Sequence, residues 1–225
     1  MRGQSYIEYG AIPSRELPEI YARSAFDRIG HPRAAFSALG LPMGIELLPA
    51  DIRKLYEVRE WKHACAVLKS DYPEQWNDIL DVLRKFRFTE AYIRAAGGGI
   101  SVLSQYFNTA FKAKGWVEKS FATKIVVDEN EMASPTHKVD CVKGQVALEI
   151  EWSNKDPFFD RDLNNFRLLF DLRAVSVGII ITKADEVSEI FKGLGDEIWA
   201  KYGWSSTWMK KLLPRIEGGG GGGCP

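Results

Sequence analysis

The sequence predicts a mixed α/β fold in which a β-sheet is flanked by helices. Three observations carry that reading. Apolar residues recur at helical spacing up to about residue 115 and then switch to a period of two. Two alternating segments are separated by Lys143-Gly144, which reads as a hairpin turn. The largely β-branched run Val175–Thr182 lacks alternation, as expected of a strand covered on both faces. The resulting order, strand–strand–helix–strand with surrounding helices, departs from a Rossmann repeat.

Residues 1–50 hold five of the ten prolines (Pro13, Pro18, Pro32, Pro42, Pro49) and Gly10, Gly30, Gly40 and Gly44, and read as an irregular arm or small subdomain. Residues 52–60 fit strand or helix equally, whereas Trp61, Cys65 and Leu68 have helical spacing. Asp71 and Pro73 suit a helix start, and Trp76, Ile79, Leu80, Leu83 and Phe86 form one apolar face beyond it. After Gly97-Gly98-Gly99, a second amphipathic helix runs through Leu103, Phe107 and Phe111 and stops near Gly115. Lys124–Val127, Thr136–Val142 and Gln145–Trp152 are expected strands. Helices are expected over 160–173, 185–202 and 205–216. These elements place a core domain at 51–217, followed by Gly218–Gly223 in a glycine-rich flexible tail, residues 218–225.

With 225 residues, 45% of them hydrophobic, the chain can bury one good-sized core. Thirty Lys+Arg balance thirty Asp+Glu, which rules out a strongly basic nucleic-acid coat protein and an acidic disordered tail. A zero total leaves DNA binding open, because a basic face can be offset by an acidic site and an acidic far side. Lys112, Lys114, Lys119 and Lys124 against Glu118 form one such basic stretch, in which Lys114 and Lys119 are candidate phosphate contacts. The competing reading is that lysines simply favour a helix C-terminus. Residues 185–197 form the acidic counterpart. Three scattered cysteines suit a reducing compartment better than a disulfide framework. The N-terminus has no apolar h-region, and Val175–Ile181 is too short to span a bilayer, so a soluble cytoplasmic protein without membrane contact is expected.

The chemistry concentrates in 139–154. In the second hairpin strand Val146, Leu148 and Ile150 share one face while Ala147, Glu149 and Glu151 share the other. With Lys143-Gly144 as the turn, Asp140 pairs with Ala147 and Glu149 lies on the diagonal. Three carboxylates then converge on one face of a sheet whose other face is apolar. Such a group repels itself unless a hard cation is shared, and oxygen ligands suit Mg²⁺. The alternative is a solvent-facing hairpin with ordinary surface acids. His137 stands three residues from Asp140, which on a continuous strand puts it on the opposite face; His31 and His63 add no metal spacing.

The pattern Asp-x8-Glu-x-Glu over Asp140, Glu149 and Glu151 resembles the nuclease motif of type II restriction endonucleases, in particular the BglII/BstYI/BamHI-like group of the PD-(D/E)XK superfamily. The resemblance runs in order through PEQWNDIL (73–80), SQYFNTAFKAKGW (104–116), VDCVKGQVALEIEWSN (139–154), VGIIITK (177–183) and WSSTWMKKL (204–212). It implies a restriction-endonuclease-like fold and Mg²⁺-dependent hydrolysis of double-stranded DNA, as a homodimer, at a short palindrome with a GATC core. Asp140 and Glu149 would be the metal-binding carboxylates. Glu151 would stand third, where most of the superfamily has Lys, and would position metal or water. Ser153 and Asn154 would face DNA, and Ser205 and Ser206 would lie in a base-reading loop, although turn and cap roles suit these residues equally. The helix at 160–173 resembles the group's dimerising helix. Relatives continue into a final strand, so the glycine run is expected to mark a truncated or missing strand. Two other readings use the same fold: a repair or structure-selective nuclease, and a catalytically weak DNA-binding protein.

Overall fold

The computed structural model describes residues 44–95, 100–202 and 207–225; most of the expected N-terminal arm lies outside them. After a 3₁₀ turn at Gly44–Leu47 come α1 (Ala50–Leu55), α2 (Ala64–Asp71) and α3 (Pro73–Lys85). The α3 helix starts on Pro73, whose missing N–H costs nothing in the first turn. Its amphipathic pattern buries Trp76, Ile79, Leu80 and Val82. Next come α4 (Glu90–Arg94) and α5 (Val102–Lys112). The Ser101 hydroxyl caps α5 by accepting from the Ser104 amide at 3.0 Å, and Gly115 turns the chain away at φ +84°.

The strands are β1 (Val117–Lys119), β2 (Lys124–Val127), β3 (Asn130–Ala133), β4 (Val139–Lys143) and β5 (Val146–Glu151). They are followed by α6 (Pro157–Asp171), β6 (Val177–Thr182), α7 (Val187–Gly193), α8 (Asp196–Tyr202) and α9 (Met209–Glu217). Strands β2 and β3 form a separate hairpin, and the main sheet has the order β1-β4-β5-β6. Within it β1/β4 and β4/β5 are antiparallel and β5/β6 is parallel, the last pair being joined through α6. This is the expected mixed α/β architecture. Strand β6 lies at the sheet edge and is only half-buried over most of its length, so the apolar run reflects packing above and below rather than a central position.

Two apolar layers sandwich the sheet. Cys141, Val146, Leu148 and Ile150 pack with Trp76, Leu80, Phe107, Phe111 and Trp116 from α3, α5 and the turn after α5. On the other face Val142 and Ala147 pack against Phe166 and Leu169 of α6. A Cβ at Gly178 would stand 2.5 Å from Cδ2 of Phe166, so that glycine lets α6 approach β6 closely.

The glycine run, expected to be flexible, is instead packed on α6. A Cβ at Gly222 would fall 2.5 Å from Cγ of Arg167, and one at Gly223 3.0 Å from Cε1 of Phe170. Cys224 is buried, and the Pro225 carbonyl accepts from the Gly178 amide at 3.0 Å. Glycine serves close approach here, not freedom. Among the described residues, no helix is long and apolar enough to cross a membrane.

Candidate active site

The β4–β5 hairpin sets the geometry. Cys141 pairs with Leu148, Val142 with Ala147 and Lys143 with Val146, so the turn is Gly144-Gln145 and not Lys143-Gly144. Gly144 takes φ +59°, a conformation open to glycine, which places it as the first turn residue. This register sets Asp140 directly opposite Glu149 rather than opposite Ala147. The difference is two residues in the pairing sum, so the faces are unchanged. Two bonds pin the pair: the Asp140 amide donates to Glu149 Oε2 at 3.1 Å, and the Ile150 amide donates to Asp140 Oδ2 at 3.0 Å.

Glu149 and Glu151 are each only 1% exposed, which removes the reading of a solvent-facing acidic hairpin. The third face of the site comes from α6. Asp162, wholly buried on the same side of that helix as Phe159 and Phe166, points at the hairpin carboxylates. His137 lies before the first residue of β4, so strand parity does not govern it. Contrary to the sequence expectation, it sits on the carboxylate face. Its Nε2 is 3.1 Å from Glu149 Oε1 and 3.3 Å from Asp162 Oδ1. Arg161, stacked at 4.3 Å on the Phe158 ring, donates to Asp162 Oδ1 at 2.8 Å and lies 3.6 Å from Glu151 Oε1.

Crowding of buried carboxylates dominates the electrostatics. Burial pushes Glu149 up to about 7, with Asp162 and Asp140 adding repulsion and the bond from His137 opposing it. Glu151 is raised by burial and by the adjacent Asp162, against a stabilising bond from the Asn154 side chain. Asp140 is raised mainly by burial. The bonds to Asp162 and Glu149 lift His137 to about 9. The sign for stability follows. Glu149 (4.5 to about 7) and His137 (6.5 to about 9) hold protons more tightly in the fold, so their contribution is complete below the lower values and is lost as pH rises through the higher ones. Without divalent ions, the urea midpoint is therefore expected to fall from about pH 5 to about pH 7, above which buried Lys183, its ammonium lowered to about 7, opposes the trend. A midpoint that climbs over that range would contradict the carboxylate crowding.

The donor set could hold a divalent cation. His137, Glu149 and Asp162 each offer a ligand atom, all within 4.8 Å of one another. Glu151 Oε2 and Asp162 Oδ2 are buried and have no hydrogen-bond partner among the described residues, a condition a cation would relieve.

The remaining expected site residues divide. Ser153 is exposed and Asn154 half-buried directly after β5. Lys119 is exposed on β1, its ammonium 4.4 Å from the Phe121 ring centroid. Lys114 is held in ion pairs with two α3 carboxylates, Asp81 at 2.7 Å and Asp78 at 3.5 Å. Ser205 and Ser206 lie outside the described residues. Just beyond them Thr207 grips the end of β5: its hydroxyl donates to the Glu151 carbonyl at 2.8 Å and its amide to the Asn154 carbonyl at 3.0 Å. Lys183 donates to the Trp152 carbonyl from between the Trp152 and Trp208 rings, and burial lowers its ammonium to about 7.

A model of the restriction endonuclease BglII/BglIII family matches residues 56–225, spanning every element from α2 onward. No curated protein matches the chain.

Proposed function

The chain belongs to the restriction endonuclease BglII/BglIII family and is therefore a DNA phosphodiester hydrolase; on that premise we propose a homodimeric type II enzyme that cuts double-stranded DNA at a short palindrome, with a GATC core, using Mg²⁺. The observation that carries the proposal is Asp140 set opposite Glu149 on paired strands, with Glu151 one step further along the same buried face.

Asp140 and Glu149 would hold the ion. When bound, Mg²⁺ supplies a Lewis acid that lowers the pKa of water and neutralises charge on the scissile phosphate. Glu151, held in place by Asn154, orients the attacking water by accepting its hydrogen bond. In-line attack leaves a 5′-phosphate and a 3′-hydroxyl. Ser153 and Asn154, directly after β5, would meet DNA, with Lys119 as a phosphate contact and, by the family resemblance, Ser205 and Ser206 as base-reading residues. Reading a palindrome calls for two-fold symmetry, and the exposed Leu168 and Leu172, on and just after α6, support that helix as the dimer contact.

Digestion of unmethylated phage DNA with and without Mg²⁺ tests the proposal. Discrete, Mg²⁺-dependent fragments with a common end sequence are expected. Cutting confined to lesions or junctions, or DNA retention with no cleavage at any divalent-ion concentration, would overturn it.

A further inference from the structure

We infer that Thr207 and Lys183 are positioning residues for cleavage: they hold the bend at 151–154 by its carbonyls and so aim the Glu151 carboxylate. The inference deepens the nuclease reading and rests on it.

Glu151 stands at the thinly supported end of its strand. β4 pairs with β5 as far as Cys141 and Leu148; beyond that point a side chain takes over, the Ile150 amide donating to Asp140 Oδ2. Glu151 is the last residue of β5, and its ladder neighbour is Thr182 of β6. The carboxylate itself has few ties. Oε2 has no hydrogen-bond partner among the described residues, and the Arg161 guanidinium is 3.6 Å from Oε1. Its direction is therefore set by the backbone of the bend that follows and by the Asn154 side chain, which bonds to it.

Three carbonyls of that bend are gripped by two residues distant in sequence. Thr207 Oγ1 donates to the Glu151 carbonyl at 2.8 Å, the Thr207 amide to the Asn154 carbonyl at 3.0 Å, and Lys183 Nζ to the Trp152 carbonyl. Thr207 thus spans the bend from end to end. It fixes both the Glu151 backbone and the residue whose side chain bonds the Glu151 carboxylate. The grip is buried, Thr207 being 0% and Lys183 1% exposed. The Lys183 ammonium lies between the Trp152 and Trp208 rings, 5.0 and 5.2 Å from their centroids. The Lys183 carbonyl in turn accepts from the Met209 amide at 2.8 Å, which ties the grip to the start of α9. Burying a lysine costs desolvation, and a methionine would fill the same space without that cost, so the amine is there to donate. A bend outside the ladder has carbonyls to satisfy, and these donors both satisfy and orient them.

Single-turnover cleavage of unmethylated phage DNA by the full chain in Mg²⁺, alongside DNA affinity measured in Ca²⁺, tests this. Thr207→Val keeps the shape and removes the hydroxyl. It is expected to cut at least about ten-fold more slowly with an affinity within about three-fold of the parent, and Thr207→Ser to recover most of the rate. The loss should run through Glu151, so in a Glu151→Gln background Thr207→Val should slow cleavage by no more than about three-fold. Lys183→Met, which removes the second donor, should show the same signature and provides the readout should Thr207→Val melt early. Unchanged rates in both variants, or the same factor lost in the parent and Glu151→Gln backgrounds, would overturn the inference. Failure of the nuclease reading looks different: the parent would cut no DNA, and amide exchange would then decide the grip. Exchange over residues 151–156 should be at least about five-fold faster in Thr207→Val than in the parent, with 139–143 unchanged, and equal exchange would refute the grip.

Discussion

Asp140→Asn and Glu149→Gln are each expected to lower Mg²⁺-dependent DNA cleavage by about 10³-fold, a loss of about 4 kcal/mol of transition-state stabilisation. The amide variants separate chemistry from scaffold. Asp140 Oδ2 accepts from the Ile150 amide and Glu149 Oε2 from the Asp140 amide, and an Asn or Gln oxygen can keep both bonds. Alanine would leave those amides unpaired and mix a folding defect into the result. For Glu149→Gln the metal-free protein at about pH 8 should melt no lower than the parent, because burial and repulsion already oppose the ionised carboxylate at that position. Single-turnover cleavage alongside thermal melting makes the comparison. Cleavage within ten-fold of the parent in either variant would remove the hairpin from the chemistry.

Gly178→Ala is expected to destabilise the protein by about 1–3 kcal/mol, lowering Tm by about 5 °C. The added methyl would sit 2.5–2.9 Å from three atoms of the Phe166 ring, which is 3% exposed and enclosed by Ala147, Leu169 and Val175. Either the ring leaves its rotamer or α6 lifts from the sheet. A double-mutant cycle decides the cause. In a Phe166→Leu background the alanine should cost much less, and an equal cost in both backgrounds would show that the contact is not responsible. A shift of α6 would also carry Asp162 away from Glu149, so cation binding should weaken along with stability.

How much of this was legible in the residues depends on which physical rule governs each position. Alternation along 146–151 separates the apolar from the acidic face of β5, because side chains of an extended strand alternate whatever surrounds them. The pairing partner of Asp140 was not legible at the same level. It turns on whether the bend begins at Lys143 or at Gly144, and the left-handed φ at Gly144 decides it. His137 was discarded by parity, yet the strand begins at Val139, so the rule was applied beyond its range. Asp162 carried a readable signal: a carboxylate three residues from Phe159 and four from Phe166, on the face of α6 that its own periodicity assigns to the core. Reading that helix as a dimer contact alone passed over it. The glycine run misled for a different reason. Its composition matches a flexible linker, and only the α6 side chains it meets, Arg167 and Phe170, explain why small residues are needed there.

His137, Asp140, Glu149, Glu151 and Asp162 all fall within residues 137–162, the stretch that forms β4, β5 and the first turns of α6. Bringing together groups so near in sequence costs little loop-closure entropy. The parallel pairing of β5 with β6 and the return of residues 218–225 onto α6 join parts of the chain that are farther apart. These non-local closures set the folding rate of such a topology, while the candidate site residues gather through neighbours in the chain. The candidate site is in that sense a local module, on which the remaining helices and strands close and set its depth.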